Sequence, residues 1–162
     1  MTDIEKLTRD TINKGGLLAI LYFDLHSPDD DKLQQLATGF VDSILKQDGV
    51  VTAYGEIDEP MEKDGTYSTS IEVKILTKDL LSLINVCSVF NPVSVEITRP
   101  NEIKLPIDKA HDILMSVSSN WFNIKRYITE KVSSKEDIEQ FKKYLDNRVE
   151  IGKKLLEKKG AE

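Results

Sequence analysis

The stretch Gly16–His26 constrains the fold more than any other part of this chain, because nearly every side chain in it is apolar. An extended run that is apolar on both faces must be covered on both, so it belongs near the centre of a sheet. Alternation puts Leu17, Ala19, Leu21, Phe23 and Leu25 on one side, and Leu18, Ile20, Tyr22, Asp24 and His26 on the other. The residues that follow read as a helix start. Ser27 is a good N-cap, Pro28 fits the first helical position, and Asp29, Asp30 and Asp31 suit the positive end of the helix dipole.

The remaining elements fall into place around this strand. Thr2 and Glu5 have capping-box spacing and open a short helix over 3–13, stopped by Gly15 and Gly16. After the Asp run, Leu33, Leu36, Ala37, Phe40, Val41, Ile44 and Leu45 recur on one helical face. Residues 50–58 and 67–77 are rich in Val, Ile, Thr and Tyr and read as the arms of a hairpin with an irregular tip. Thr77 is expected to cap a helix with Leu80, Leu83, Ile84 and Cys87 inward, ending before Asn91-Pro92. Val93, Val95 and Ile97 then alternate with polar residues as a last, half-exposed strand.

The order from 16 to 99 is therefore β-α-β-β-α-β, which resembles the ferredoxin-like topology: an α+β sandwich of a four-stranded antiparallel sheet with two helices on one face. In this reading the first and third strands lie parallel in the centre. The likeness is one of topology and brings no function with it. Residues 1–100 form the short N-terminal helix plus this domain, and 101–162 a helical hairpin that packs on the sheet or on a second subunit. In the hairpin, Ile103, Leu105 and Pro106 suggest a short bridge or edge strand. Ala110, Ile113, Leu114, Val117, Trp121, Ile124 and Ile128 mark a long amphipathic helix, which Ser118-Ser119-Asn120 could bend. Ser134 and Asp137 start a final helix bearing one stripe of Ile138, Phe141, Leu145, Val149 and Leu156, and a second of Tyr144, Ile151 and Leu155.

With both helices on one sheet face, the opposite face presents Leu18, Ile20 and Tyr22, with Tyr54 beside them. Leaving such a patch wet costs about 25 cal/mol for each Å² of apolar surface, so a cover is expected, either the C-terminal helices or another subunit. One antiparallel neighbour cannot bury both stripes of the final helix. A homodimer or higher homo-oligomer, or a protein partner, follows as the expectation. The interface residues expected are Leu18, Ile20, Tyr22, Tyr54, Trp121, Phe122, Tyr144, Ile151 and Leu155.

Chemical signals are sparse. Asp24 and His26 share a strand face and could, with His111 from the long helix, hold a ligand or metal such as Zn, Mn or Fe. The acidic run Glu56, Asp58, Glu59 and Glu62 sits at a hairpin tip and reads as a solvated loop. Cys87, the single cysteine, excludes intramolecular disulfides and lies in an apolar run as a small buried hydrophobe. A net charge of −6 argues against a basic nucleic-acid-binding surface, and Gly65–Glu72 lacks the aromatic pattern by which this topology binds RNA. No segment has the apolar length to span a bilayer, and a reducing cytoplasm suits the cysteine content.

No catalytic residues and no cofactor are expected. The function that follows is a non-enzymatic module working by self-association and partner binding. A second expectation resembles the ACT-type regulatory domains, with a small molecule held between paired subunits near the start of the first crossover helix. Leu25–Asp29 lacks the glycine such domains place after their first strand. A metal-dependent enzyme around Asp24 and His26 ranks third.

Overall fold

A computed structural model describes residues 2–159, and the side chains of all of these except 155, 156, 158 and 159. It contains α1 (Asp3–Asn13), β1 (Leu17–Ser27), α2 (Asp30–Leu45), β2 (Val50–Ile57), β3 (Met61–Lys63), β4 (Thr66–Thr77), α3 (Leu80–Phe90), β5 (Ser94–Arg99), α4 (Ile107–Val132) and α5 (Lys135–Lys159). The chain divides into two compact units, Met1–Ser116 and Val117–Glu162, with the division inside α4.

The first unit is α+β, built on a five-stranded antiparallel sheet in the order β2-β4-β1-β5, with β3 paired to β4. The expected four-strand layout thus gains a strand. The tip read as irregular turns back on itself, and Met61, Glu62 and Lys63 pair with Ser68, Tyr67 and Thr66. Asp64 and Gly65 make that turn, both at positive φ (54° and 77°). The two central strands also correct the expected parallel arrangement, since β1 and β4 pair antiparallel along their whole length. The reason is topological. A helical crossover makes β2 run with β1, and β4, joined to β2 by a hairpin, inserts between them and opposes both.

The alternation in β1 is as its sequence implies: Leu17, Ala19, Leu21 and Phe23 are buried, and Leu18, Ile20 and Tyr22 half-buried. Ala19, Leu21 and Phe23, with Ile71, Val73 and Ile75 of β4, meet Ala37 and Ile44 of α2 and Leu83 and Val86 of α3 in one core, whereas Leu36 and Leu45 of the expected α2 stripe are exposed. Each such large side chain contributes about 1.5–3 kcal/mol on burial. Phe40 packs edge-to-face between Phe23 and Phe90, at 4.8 and 5.4 Å. α2 crosses β2 so closely that a Cβ at Gly55 would come within 2.5 Å of the Val41 side chain.

Both crossover helices begin two residues later than expected, and the physical cause is the same. Asp29, not Ser27, caps α2 by accepting from the Lys32 N–H, while the Ser27 hydroxyl, still in β1, accepts from the Asp29 N–H at 3.2 Å. Asp79, not Thr77, caps α3, and the Thr77 hydroxyl donates to the Asp79 carbonyl at 3.1 Å. A carboxylate is a stronger acceptor than a hydroxyl, which leaves the upstream residue to finish its strand. In α3 the innermost residues are Ser82, Leu83 and Val86, and Leu80, Ile84 and Cys87 are only half-buried.

No strand forms over 101–106, because Pro106 offers no N–H to a ladder and Ile107 already begins α4. The Ser118-Ser119-Asn120 stretch does not interrupt α4 either. The weak preference of each residue against helix, about 0.5 kcal/mol, is smaller than the cooperative gain of an unbroken helix.

In the second unit, α5 starts where Ser134 and Asp137 predict, the Ser134 hydroxyl donating to Asp137 at 2.7 Å and accepting from its N–H. The two helices meet along a narrow seam. Phe122 stacks on Phe141 at 6.4 Å, Arg148 covers Phe122 at 5.3 Å, and Ile138 and Leu145 flank Phe141 on α5. Among the described residues, no helix is long and apolar enough to cross a membrane.

Candidate functional site

Register converts the sequence into a map of the sheet face that α2 and α3 leave open. One cross-strand row is Thr52, Leu76, Leu18 and Arg99; the next is Tyr54, Lys74, Ile20 and Glu96; the third is Glu56, Glu72, Tyr22 and Ser94. Beyond them Asp24 pairs with Ser70 and His26 with Ser68. The face therefore grades from apolar at one end, through an acidic row, to polar at the other.

The apolar end is not bare. The capping box of Thr2 and Glu5 forms, with the Glu5 carboxylate accepting from the Thr2 N–H at 2.8 Å. It starts α1, which touches β1 and β4. The return is tight: Gly15 adopts φ of +99°, and a Cβ on Gly16 would come within 2.5 Å of the Thr77 carbonyl. This N-terminal helix supplies a wall that the sequence reading did not consider. Between it and the sheet lies a groove of about 670 Å³ with a mainly apolar lining, floored by Leu18 and Ile20 and edged by Tyr54, Lys74 and Arg99. A volume of this size is within the ordinary range for small-molecule sites.

Tyr22 sits one row beyond the groove. Desolvation, followed by the carboxylates of Glu72 and Glu96, holds its hydroxyl above the usual tyrosine range. Glu56 and Glu72 stand directly opposite each other, a mildly destabilising like-charge pair on an exposed surface.

The structure engages Asp24 and His26 with neighbours on β4. The Ser70 hydroxyl donates to Asp24 at 3.0 Å, and the Ser68 hydroxyl lies 2.8 Å from His26 Nδ1. Both are exposed, as is His111 on α4. Among the described residues no three His, Cys, Asp or Glu side chains cluster as metal ligands would. Of the residues after His26, Asp29 is spent on its cap. At the hairpin, Glu62 accepts from the Gly65 N–H at 3.2 Å and serves the turn.

Cys87 lines a smaller apolar groove of about 380 Å³ between α3 and β5, with Ile84, Val95 and Ile97. Burial raises its thiol pKa, which keeps it protonated and unreactive.

Of the residues expected at an interface, Leu18, Ile20 and Tyr54 meet in the large groove. Phe122 is used inside the hairpin, whereas Trp121, Tyr144 and Ile151 are exposed. The side chains of Leu155, and of Leu156 on the neighbouring stripe, lie outside the described ones. Lys74 and Arg99 were not singled out by the sequence. The alternation of β4 shows that Lys74 points away from the core, but only pairing across β1 brings it to the same groove as Arg99.

The model of the MJ0538 family matches residues 18–154, a span that takes in all five strands and most of both hairpin helices. No curated protein and no solved structure matches the chain.

Proposed function

The chain belongs to the MJ0538 family, and for this member we propose a non-enzymatic role carried by self-association through the helical hairpin. One observation carries the reading. Val117, Trp121, Ile124, Ile128 and Val132 form a continuous apolar stripe on α4, and all five are exposed, Trp121 at 68%. The seam with α5 uses Phe122 instead, about a third of a turn around the helix. The same stripe begins half-buried at Ala110 and Ile113, so the exposed portion continues a surface that is already used for packing. On α5 Tyr144 and Ile151 are exposed at the edge of the Ile138–Phe141–Leu145 seam, the Tyr144 ring stacking on Phe141 at 6.2 Å. A second copy, offering the same two stripes around a two-fold axis, would bury both in a bundle.

The finer description of the first unit as ferredoxin-like is part of this proposal. It is supported by the order β2-β4-β1-β5 with α2 and α3 as the crossovers, β3 being an addition at the hairpin tip.

Sedimentation velocity tests the assembly. The wild-type chain at micromolar concentration is expected to run as a dimer or higher oligomer, and a Trp121→Glu, Ile128→Glu variant as a monomer with unchanged circular dichroism. A strictly monomeric wild type would refute it.

A further inference from the structure

We propose that the groove between α1 and the open sheet face is a binding site for a small amphiphilic monocarboxylate, with the apolar body on Leu18 and Ile20 and the carboxylate between Lys74 and Arg99. This site is separate from the hairpin and does not depend on its assembly. It also differs from the expectation of a ligand near the start of α2.

Some polar groups of the lining already have partners. The Thr8 hydroxyl donates to the Ile4 carbonyl at 2.8 Å and the Thr98 hydroxyl to the Leu18 carbonyl at 3.0 Å, so both of these hydroxyls are already spent on backbone. The Glu5 carboxylate, the one acidic group of the lining, accepts from the Thr2 N–H through Oε2. What remains is the Lys74 ammonium and the Arg99 guanidinium, with the hydroxyls of Thr52 and Tyr54. Among the described residues, neither cation belongs to an ion pair. In a chain of net charge −6, a groove lined by two unpaired cations and one carboxylate, Glu5, is a local excess of positive charge.

Placement explains why the two act together. Arg99 stands across from Leu18 on β5, and Lys74 across from Ile20 on β4, so the cations flank the two apolar residues of β1 from opposite sides. Lys74 also lies opposite Tyr54, not a carboxylate. An uncharged apolar guest would leave both cations without a partner, and a cationic one would meet repulsion. A carboxylate gains charge-assisted hydrogen bonds from either, and a cavity of about 670 Å³ holds a medium-length chain or an aromatic ring beside it.

The test titrates isotope-labelled full-length protein with decanoate, decanol and decyltrimethylammonium, each below its micelle concentration, following amide shifts. Decanoate is expected to perturb β1, β4 and α1, and to bind at least about tenfold more tightly than the other two, as one charge-assisted hydrogen bond allows. Lys74→Gln with Arg99→Gln should bring decanoate down to the affinity of decanol, and Lys74→Arg with Arg99→Lys should keep the preference. Thr8→Trp, on the outer helix and therefore tolerated by the fold, should block the groove for all three. Equal affinity for the three probes would overturn the proposal, as would undiminished decanoate binding in the double Gln variant or shifts confined to the hairpin. No binding at all would also overturn it. So would binding seen in the Trp121→Glu, Ile128→Glu variant but absent from wild type, which would give this face to a second copy.

Discussion

The two units of the chain solve the problem of covering apolar surface to different degrees. In the first, the central strands and α2 and α3 bury Leu21, Ile75, Ile44, Val86 and their neighbours almost completely. In the second, no described residue is fully buried, and the hairpin holds together by one narrow aromatic seam. A sheet with helices on one face closes a core by itself, whereas two helices have only one shared face and leave the others outward. The first unit therefore closes its core, and the second leaves apolar side chains such as Trp121 and Ile128 exposed.

The contrast is most open to attack at the core. Leu21→Ala removes a fully buried side chain and is expected to cost about 2–5 kcal/mol in urea denaturation; a loss near zero would mean that the first unit is not packed as described. The hairpin should answer differently. Trp121→Glu with Ile128→Glu should leave the stability of the first unit unchanged while weakening association by about 2 kcal/mol or more, some thirtyfold in dissociation constant. Matched denaturation and sedimentation on the same two variants separate the effects.

A smaller test concerns the start of α3. Burial disfavours the charged form of Asp79, but hydrogen bonds from the Ser82 hydroxyl and N–H, at 2.6 and 2.8 Å, outweigh it with help from Lys78 and Lys109. Its pKa therefore lies below the ordinary aspartate value. A lowered pKa contributes stability that is full above the unfolded-state value, near 3.9, and is lost as pH falls through the folded one. Asp79→Ala should cost about 1 kcal/mol at neutral pH, and the gap from wild type should close in acid. A gap that stayed constant would detach the cap from its charge.

The smallest effect belongs to Cys87. With its thiol pKa raised by burial, alkylation at neutral pH should run slower than that of free cysteine. A faster rate would reveal that the α3–β5 groove opens readily, and would make the first unit less finished than its core implies.

Much of the fold was legible from residue patterns because it follows local rules. The two-residue alternation of Leu17 to Phe23, the Thr2–Glu5 box and the Ser134–Asp137 start all appear where their spacing says they should. The misreadings fell where two local signals competed. Ser27 against Asp29 and Thr77 against Asp79 were decided by acceptor strength, and the direction of β1 relative to β4 by chain connectivity. The candidate site was far less legible. Asp24 and His26 share a strand face, where each meets a serine of β4, and the partners came from register, which the sequence does not show.

The run Gly16–His26 by itself determined that this chain has a central strand with two apolar faces, since side-chain parity is a property of any extended backbone. Only the tertiary structure decided what meets those faces. The helix-covered side closed into a core, and on the other side the register of β4 and β5 set Lys74 and Arg99 about Leu18 and Ile20, beneath a helix returned by Gly15 and Gly16. Pairing across strands joins residues up to some eighty positions apart, and no pattern confined to neighbouring residues carries that information.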